Sequence, residues 1–142
     1  MKPVIELLRN REGTLWHAKP DDTVFDALKL LAEHEVGALM VMEGGKLVGV
    51  VSERDYTRKI ALQGRSSKDT TVADIMTRNV VVVSPMTRTR DCMRLMSDKR
   101  IRHLPVVDNG TVLGMISIRD IMDDIIAGHE LTIAQLESYI NS

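Results

Sequence analysis

The chain has 142 residues, 44% of them hydrophobic, and its acidic and basic side chains nearly cancel at a net charge of −1. That length can bury a real core as one body, whereas either half alone, at roughly 60 residues, would be marginal. The charge balance supplies no global basic field for nucleic acid or an anionic membrane, so any anion site must be local.

Val4-Ile-Glu-Leu-Leu8 has the spacing of a short lead-in helix, and the opening Met-Lys-Pro-Val-Ile-Glu lacks a signal-peptide core. Leu15 to Lys19 reads as a short strand ended by Pro20. Val24, Ala27, Leu28 and Leu31 then fall at helical spacing. Val36 to Met42, a turn at Glu43-Gly44-Gly45 and Lys46 to Val51 make a hairpin. Ser52-Glu-Arg-Asp55 opens a second helix, with Tyr56 and Ile60 on its apolar stripe. The polar, turn-rich segment Gly64 to Thr71 is a linker too short to separate independent domains. Val72-Ala-Asp-Ile-Met76 is a second lead-in helix.

From there the order recurs. Pro20 to Ile60 repeats as Pro85 to Ile125 at a constant shift of 65 positions without a gap, and the lead-ins match only with a further slip of three. Identical pairs include Pro20/Pro85, Asp26/Asp91, Leu39/Leu104, Gly45/Gly110, Gly49/Gly114, Ser52/Ser117, Arg54/Arg119 and Asp55/Asp120. The second copy has a β-branched strand at Val80 to Ser84 and a helix stripe at Thr89, Cys92, Met93 and Met96. Its hairpin is Ile101 to Val107, Asp108-Asn109-Gly110 and Thr111 to Ile116, and a helix opens at Ser117-Ile-Arg-Asp120. Gly128 is a candidate helix end, after which Ile133, Leu136 and Ile140 form an apolar stripe narrow enough to dock on a partner.

The expectation is an α+β fold of two β-α-β-β-α units closed as a pseudo-twofold pair, with short helices at both ends. Along the chain the divisions fall at 1–63 for the first repeat with its lead-in, 64–71 for the linker, 72–127 for the second repeat and 128–142 for a C-terminal amphipathic helix.

The repeated Ser-x-Arg-Asp has two explanations. The serine can cap a helix while the carboxylate three residues on completes a capping box. The same first turn can also hold an anion, with arginine forking onto phosphate and aspartate accepting from a ribose diol. Arg100, Arg102 and His103 sit where the first repeat has Glu35, Gly37 and Ala38, so the two sites should differ. Other chemistries lack their motifs. Gly44-Gly45-Lys-Leu-Val-Gly49 is not a dinucleotide fingerprint, and no Walker-type Gly-Lys-Ser occurs. His17, His34, His103, His129 and Cys92 share no metal-ligand spacing, and no nucleophile motif is present, so neither a metal site nor catalysis is expected. The lone Cys92 on an apolar helix face is read as a buried structural thiol in a reducing cytoplasm. Trp16, Phe25, Tyr56 and Tyr139 are too few for a nucleic-acid stacking platform, and no stretch approaches the ~20 apolar residues of a membrane span.

With the repeated unit, Arg102-His-Leu-Pro-Val-Val-Asp108 and Gly114-Met-Ile-Ser-Ile-Arg-Asp120 in view, the chain closely resembles a tandem CBS-domain pair, or Bateman module, over about residues 3 to 127. It is similar to stand-alone bacterial members. The resemblance implies two clefts for adenosine-containing ligands: AMP, ADP, ATP, NAD(H) or, less so, S-adenosylmethionine. It implies ribose on Asp55 and Asp120, and phosphate near Ser52, Arg54, Arg102, His103, Ser117 and Arg119. Adenine would be completed by Thr14, Val36 and Ala38 for the Asp120 cleft and by Thr77 and Ile101 for the Asp55 cleft, with His103 also near the latter. The first lead-in, Val4 to Arg9, departs from the family pattern, whereas Val72 to Thr77 fits it. The implied function is a cytoplasmic, non-catalytic nucleotide sensor that assembles as a homodimer and is read by a downstream protein. The other reading is a nucleotide-independent protein-interaction scaffold.

Overall fold

The computed structural model describes residues 2–8 and 16–141. Its helices are α1 Ile5–Leu8, α2 Val24–His34, α3 Glu53–Tyr56, α4 Val72–Ile75, α5 Thr89–Lys99 and α6 Ile118–Asn141. Its strands are β1 His17–Ala18, β2 Ala38–Glu43, β3 Lys46–Ser52, β4 His103–Asp108 and β5 Thr111–Ser117. The described residues divide into two compact units: 16–82 with 107–113, and 2–8 with 83–106 and 114–141.

In the unit containing residues 16–82, β1 lies parallel to β2, and β2 pairs antiparallel with β3. Gly44 and Gly45, at φ 58° and 79°, supply the two positive-φ positions of the tight β2–β3 turn. Thr23 caps α2 by accepting from the Asp26 N–H at 3.1 Å. Val24, Ala27 and Leu31 turn its apolar stripe onto a core with Leu39, Val41, Val51, Ile60, Val72 and Ile75. Beyond α3 the helix widens into a π turn, Thr57–Ala61, whose Thr57 carbonyl accepts from the Leu62 N–H at 3.0 Å.

The second repeat follows this plan with local departures. Thr89, Cys92 and Met96 are the buried stripe of α5, and Leu104, Val106, Ile116 and Ile121 are fully buried as well. Asn109 and Gly110 take the turn positions that Gly44 and Gly45 occupy in the first hairpin. Both α2 and α5 end on a non-glycine residue in the left-handed region, Glu35 at φ 54° and Arg100 at φ 57°, again 65 positions apart.

Two local expectations are corrected. Val80 to Ser84 is not a strand. Only Val83 forms a parallel bridge, to Val106, with its N–H donating to Pro105 O at 3.0 Å. The next rung of that ladder needs an N–H from residue 105, and proline has none. In the first repeat the same place is Met40, which pairs with His17. Nor does Gly128 end a helix, because α6 continues through it to Asn141. An interior glycine costs only about 1 kcal/mol relative to alanine, and no proline follows to stop the turn. Of the expected Leu15 to Lys19 strand, His17 and Ala18 are paired, and Leu15 lies outside the described residues.

The lead-in helices are exchanged between the repeats. The N–H groups of Val72 and Ala73 donate to Asp22 O and Pro20 O, at 2.8 and 2.9 Å. Those of Val4 and Ile5 donate to Thr87 O and Pro85 O, at 2.8 and 3.0 Å. Bridges Thr23↔Thr71 and Pro3↔Arg88 follow the same rule. Each acceptor shifts by 65 and each donor by 68, which is the three-residue slip read in the sequence. The segment 64–71 is anchored as well: Thr70 is buried, its hydroxyl donates to Ser66 O at 2.8 Å, and its carbonyl accepts from the Val24 N–H. Among the described residues, no helix is long and apolar enough to cross a membrane.

Candidate functional site

Ser52 ends β3 in an extended conformation, φ −128° and ψ 164°, as the chain turns into α3. Its Oγ accepts from the Asp55 N–H at 3.2 Å. Asp55 Oδ2 in return accepts from the Ser52 N–H at 2.9 Å and from Ser52 Oγ at 3.0 Å, a complete capping box. The Glu53 N–H donates to Gly37 O at 3.0 Å. The second copy repeats the arrangement: Ser117 N–H to Asp120 Oδ2 at 2.7 Å, Asp120 N–H to Ser117 Oγ at 3.2 Å, and Ile118 N–H to Arg102 O at 2.8 Å. Two first-turn N–H groups are therefore committed internally in each copy. A phosphate expected there must be met chiefly by side chains.

Ser52, Asp55, Ser117 and Asp120 are half-buried, while Arg54, Arg102 and Arg119 are exposed. In the Asp55 unit, Ala38 stands directly opposite Ser52 in the β2–β3 register. Thr77 exchanges both backbone hydrogen bonds with Val50, at 2.8 and 3.0 Å, one side-chain period before Ser52. Thr77 thus lies along the strand edge that leads to the box. Val36 is half-buried in the same unit. Ile101, Arg102 and His103 belong to the unit that carries Asp120. Burial lowers the His103 pKa, opposed by the charge of Asp120 and reinforced by that of Arg102. Thr14 lies outside the described residues.

The sequence reading missed Lys59. Its Nζ lies 3.3 Å from Asp55 Oδ1 and donates to Ile75 O at 2.7 Å. The i,i+4 spacing of Asp55 and Lys59 was a visible signal for the first contact. No local pattern announced the second. At the equivalent place the other repeat has Asp124, which pairs with Lys2 at 2.7 Å. That hydrogen bond and the carboxylate's charge raise the Lys2 amine above its ordinary pKa.

Burial pushes the Cys92 thiol up to about 11, so it stays protonated near neutral pH, as a packing residue would. Among the described residues, no group of three or more His, Cys, Asp or Glu could hold a metal ion. A cavity of about 640 Å³ opens beside the β2–β3 turn, lined by residues including His17, Lys19, Met40, Met42 and Val112. It lies at the opposite end of the hairpin from Ser52, and among the described residues none of the expected site residues lines it.

The CBS domain family model matches residues 14–62 and 72–127, the two repeats in order. The chain belongs to the CBS-domain family. A solved CBS protein from Burkholderia ambifaria MC40-6, described as a putative signal-transduction protein, is 45% identical with a TM-score of 0.85. The match covers 89% of this chain and 95% of that one. The CBS domain-containing protein CBSX3, mitochondrial, of Arabidopsis thaliana is 42% identical over 137 residues, covering 93% of this chain and 66% of the plant protein. The CBS domain pair of protein MJ0100, solved with 5′-methylthioadenosine and S-adenosyl-L-methionine, is 26% identical with a TM-score of 0.78. There the match covers 91% of this chain and 98% of that one. CBS repeats thus account for both capping boxes, which fall inside the two matched segments.

Proposed function

We propose that this CBS pair is a non-catalytic sensor of an adenosine-containing ligand, AMP, ADP, ATP or NAD(H) ahead of S-adenosylmethionine. Ligand binding would shift a conformational equilibrium that a protein partner reads. The observation that carries this reading is the duplicated Ser-x-Arg-Asp box. Each copy holds a half-buried carboxylate in a fixed orientation with an exposed arginine one residue before it. A ribose diol needs such an acceptor, and a phosphate needs a guanidinium fork. The adenosine-type ligands of the MJ0100 pair support the same class.

In this reading Asp55 and Asp120 take ribose. Ser52, Arg54, Arg102, His103, Ser117 and Arg119 serve phosphate, and Thr14, Val36, Ala38, Thr77 and Ile101 serve adenine. The neutral His103 would donate one hydrogen bond rather than a charge. The sensor works in the cytoplasm as a homodimer. Its ligand changes conformation only through unequal affinity for the two states.

Calorimetric titration of nucleotide-stripped protein with AMP, ATP, NAD(H) and S-adenosylmethionine tests this. Saturable, stoichiometric binding of one of them is expected. Asp120→Ala should weaken that binding by about a hundredfold with the fold retained, since hydrogen bonds to a charged acceptor are worth ~1.5–3 kcal/mol each. No binding at millimolar ligand would leave the capping boxes purely structural and favour a protein-interaction scaffold.

A further inference from the structure

We propose that His17, Met40 and Met42 form a binding site for a soft monovalent metal ion of the Cu(I) class, in the cavity beside the β2–β3 turn. The site is separate from the capping boxes and does not depend on the sensor reading.

Side chains alternate along β1 and β2. Ala18, Leu39 and Val41 enter the helical core, while His17, Met40 and Met42 line the cavity of about 640 Å³. His17 is the register partner of Met40 across the parallel β1–β2 pair, which sets their backbones one strand spacing, ~4.8 Å, apart. Met42 follows two residues along β2, a rise of ~6.6 Å. One imidazole and two thioethers thus open on the same space from adjacent positions of one sheet face.

That set selects its ion. Thioether sulfur is a soft, uncharged donor, and paired with imidazole it favours Cu(I) over the hard cations that carboxylates hold. Among the described residues, no cluster of His, Cys, Asp or Glu offers the set that a zinc ion takes. The rotatable methionine side chains let both sulfurs adjust to one ion. An imidazole has two ring nitrogens, so His17 can ligate through one and keep a partner within the protein on the other. Met40 is 3% exposed, which shields its end of the site from water. Two exposed carboxylates, Asp21 and Glu43, line the cavity against the one ammonium of Lys19, a balance that favours a cation. The second repeat provides the contrast. Sixty-five positions on, the three residues are Val82, Pro105 and Val107, none with a ligating side chain.

The experiment titrates Ag(I), a redox-inert stand-in for Cu(I), into protein labelled at the methionine methyl groups and follows their NMR signals. Wild type and Cys92→Ala are compared so that binding at the lone thiol is separated from binding at sulfur ethers. With nine methionines in the chain, the Met40 and Met42 signals are assigned from Met40→Leu and Met42→Leu, which nearly conserve volume. Both signals should shift together and saturate at one ion per chain, with or without Cys92. Met42→Leu and His17→Gln, with circular dichroism confirming their fold, should each weaken binding at least about tenfold, since even outer partners of metal ligands are worth about 10–100-fold. Anaerobic Cu(I) competition against a chromophoric chelator should give the same order of variants, and equimolar Zn(II) should not displace Ag(I). Binding that leaves the Met40 and Met42 methyl groups unmoved would place the ion elsewhere and overturn the site. A shift of one methyl group alone, or one indifferent to His17→Gln, would reduce it to an isolated thioether contact and overturn it equally. Displacement by Zn(II) would overturn the soft-ion class.

Discussion

The two serine-capped turns share their backbone-to-side-chain hydrogen bonds and differ in their surroundings. Ser52 and Ser117 make the same box with Asp55 and Asp120, and the residue after each serine donates to the carbonyl of residue 37 or 102. Around that shared frame Arg54 and Arg119 match, but other neighbours have changed. Ala38 becomes His103, Gly37 becomes Arg102 and Lys59 becomes Asp124. The frame solves a problem that both copies have, the unsatisfied N–H groups of a helix start, so it persists. The neighbours face no such common demand. A duplicated unit keeps what the backbone requires and diverges where only side chains decide.

The lead-ins extend the comparison and offer the sharpest way to break it. Gly49 and Gly114 occupy equivalent strand positions, each close to a lead-in. A Cβ on Gly49 would meet Met76 Sδ at 2.7 Å and Thr77 O at 3.0 Å, and that carbonyl is held by the Val50 N–H. A Cβ on Gly114 would meet Leu8 Cδ2 at 3.1 Å, the end of a movable side chain. Gly49→Ala should therefore cost about 1–3 kcal/mol in urea unfolding, and Gly114→Ala less than about 1 kcal/mol. Equal losses would mean that the two lead-ins pack with the same rigidity.

Next in size are the caps themselves. Ser52→Ala and Ser117→Ala should each lower stability by about 1 kcal/mol, measured by the same unfolding titration. A clear inequality would show that the matching distances hide different energetics.

The smallest effect is expected from His103, which has Ala38 as its counterpart. Burial, aided by Arg102, holds its pKa below the ordinary 6.5 despite the nearby Asp120. The unfolded chain then takes up a proton that the folded one resists, so this contribution is full above pH 6.5 and drains away as pH falls below it. The fall in Tm between pH 7.5 and 5.5 should shrink in His103→Gln. An unchanged fall would assign the acid sensitivity to other groups.

Much of this was legible in the chain. The 65-residue shift showed the two repeats, Gly45 and Asn109-Gly110 the turns, and the serines the helix starts, because each reports a local backbone requirement. The β-branched run Val80 to Ser84 misled because its pairing depended on Pro105, a residue more than twenty positions away. Gly128 misled because a helix-end residue is tolerated inside a helix at modest cost. The bond from Lys59 to Ile75 O and the exchange of lead-ins are long-range facts that local periodicity does not carry. Of the site residues, the structure groups Ser52, Asp55, Ala38 and Thr77 in one unit, and Arg102, His103, Ser117 and Asp120 in the other.

The exchange of lead-ins also sets an order of events as the chain leaves the ribosome. The Val72 and Ala73 N–H groups find their acceptors at Asp22 and Pro20, already made some fifty residues earlier. Val4 and Ile5 need Thr87 and Pro85, and Val4, fully buried in the finished fold, must wait about eighty residues for them. During that interval the apolar side of residues 4–8 has no native surface to cover it. Closing so long a loop carries an entropic cost that only later contacts offset, which makes α1 the late-docking element.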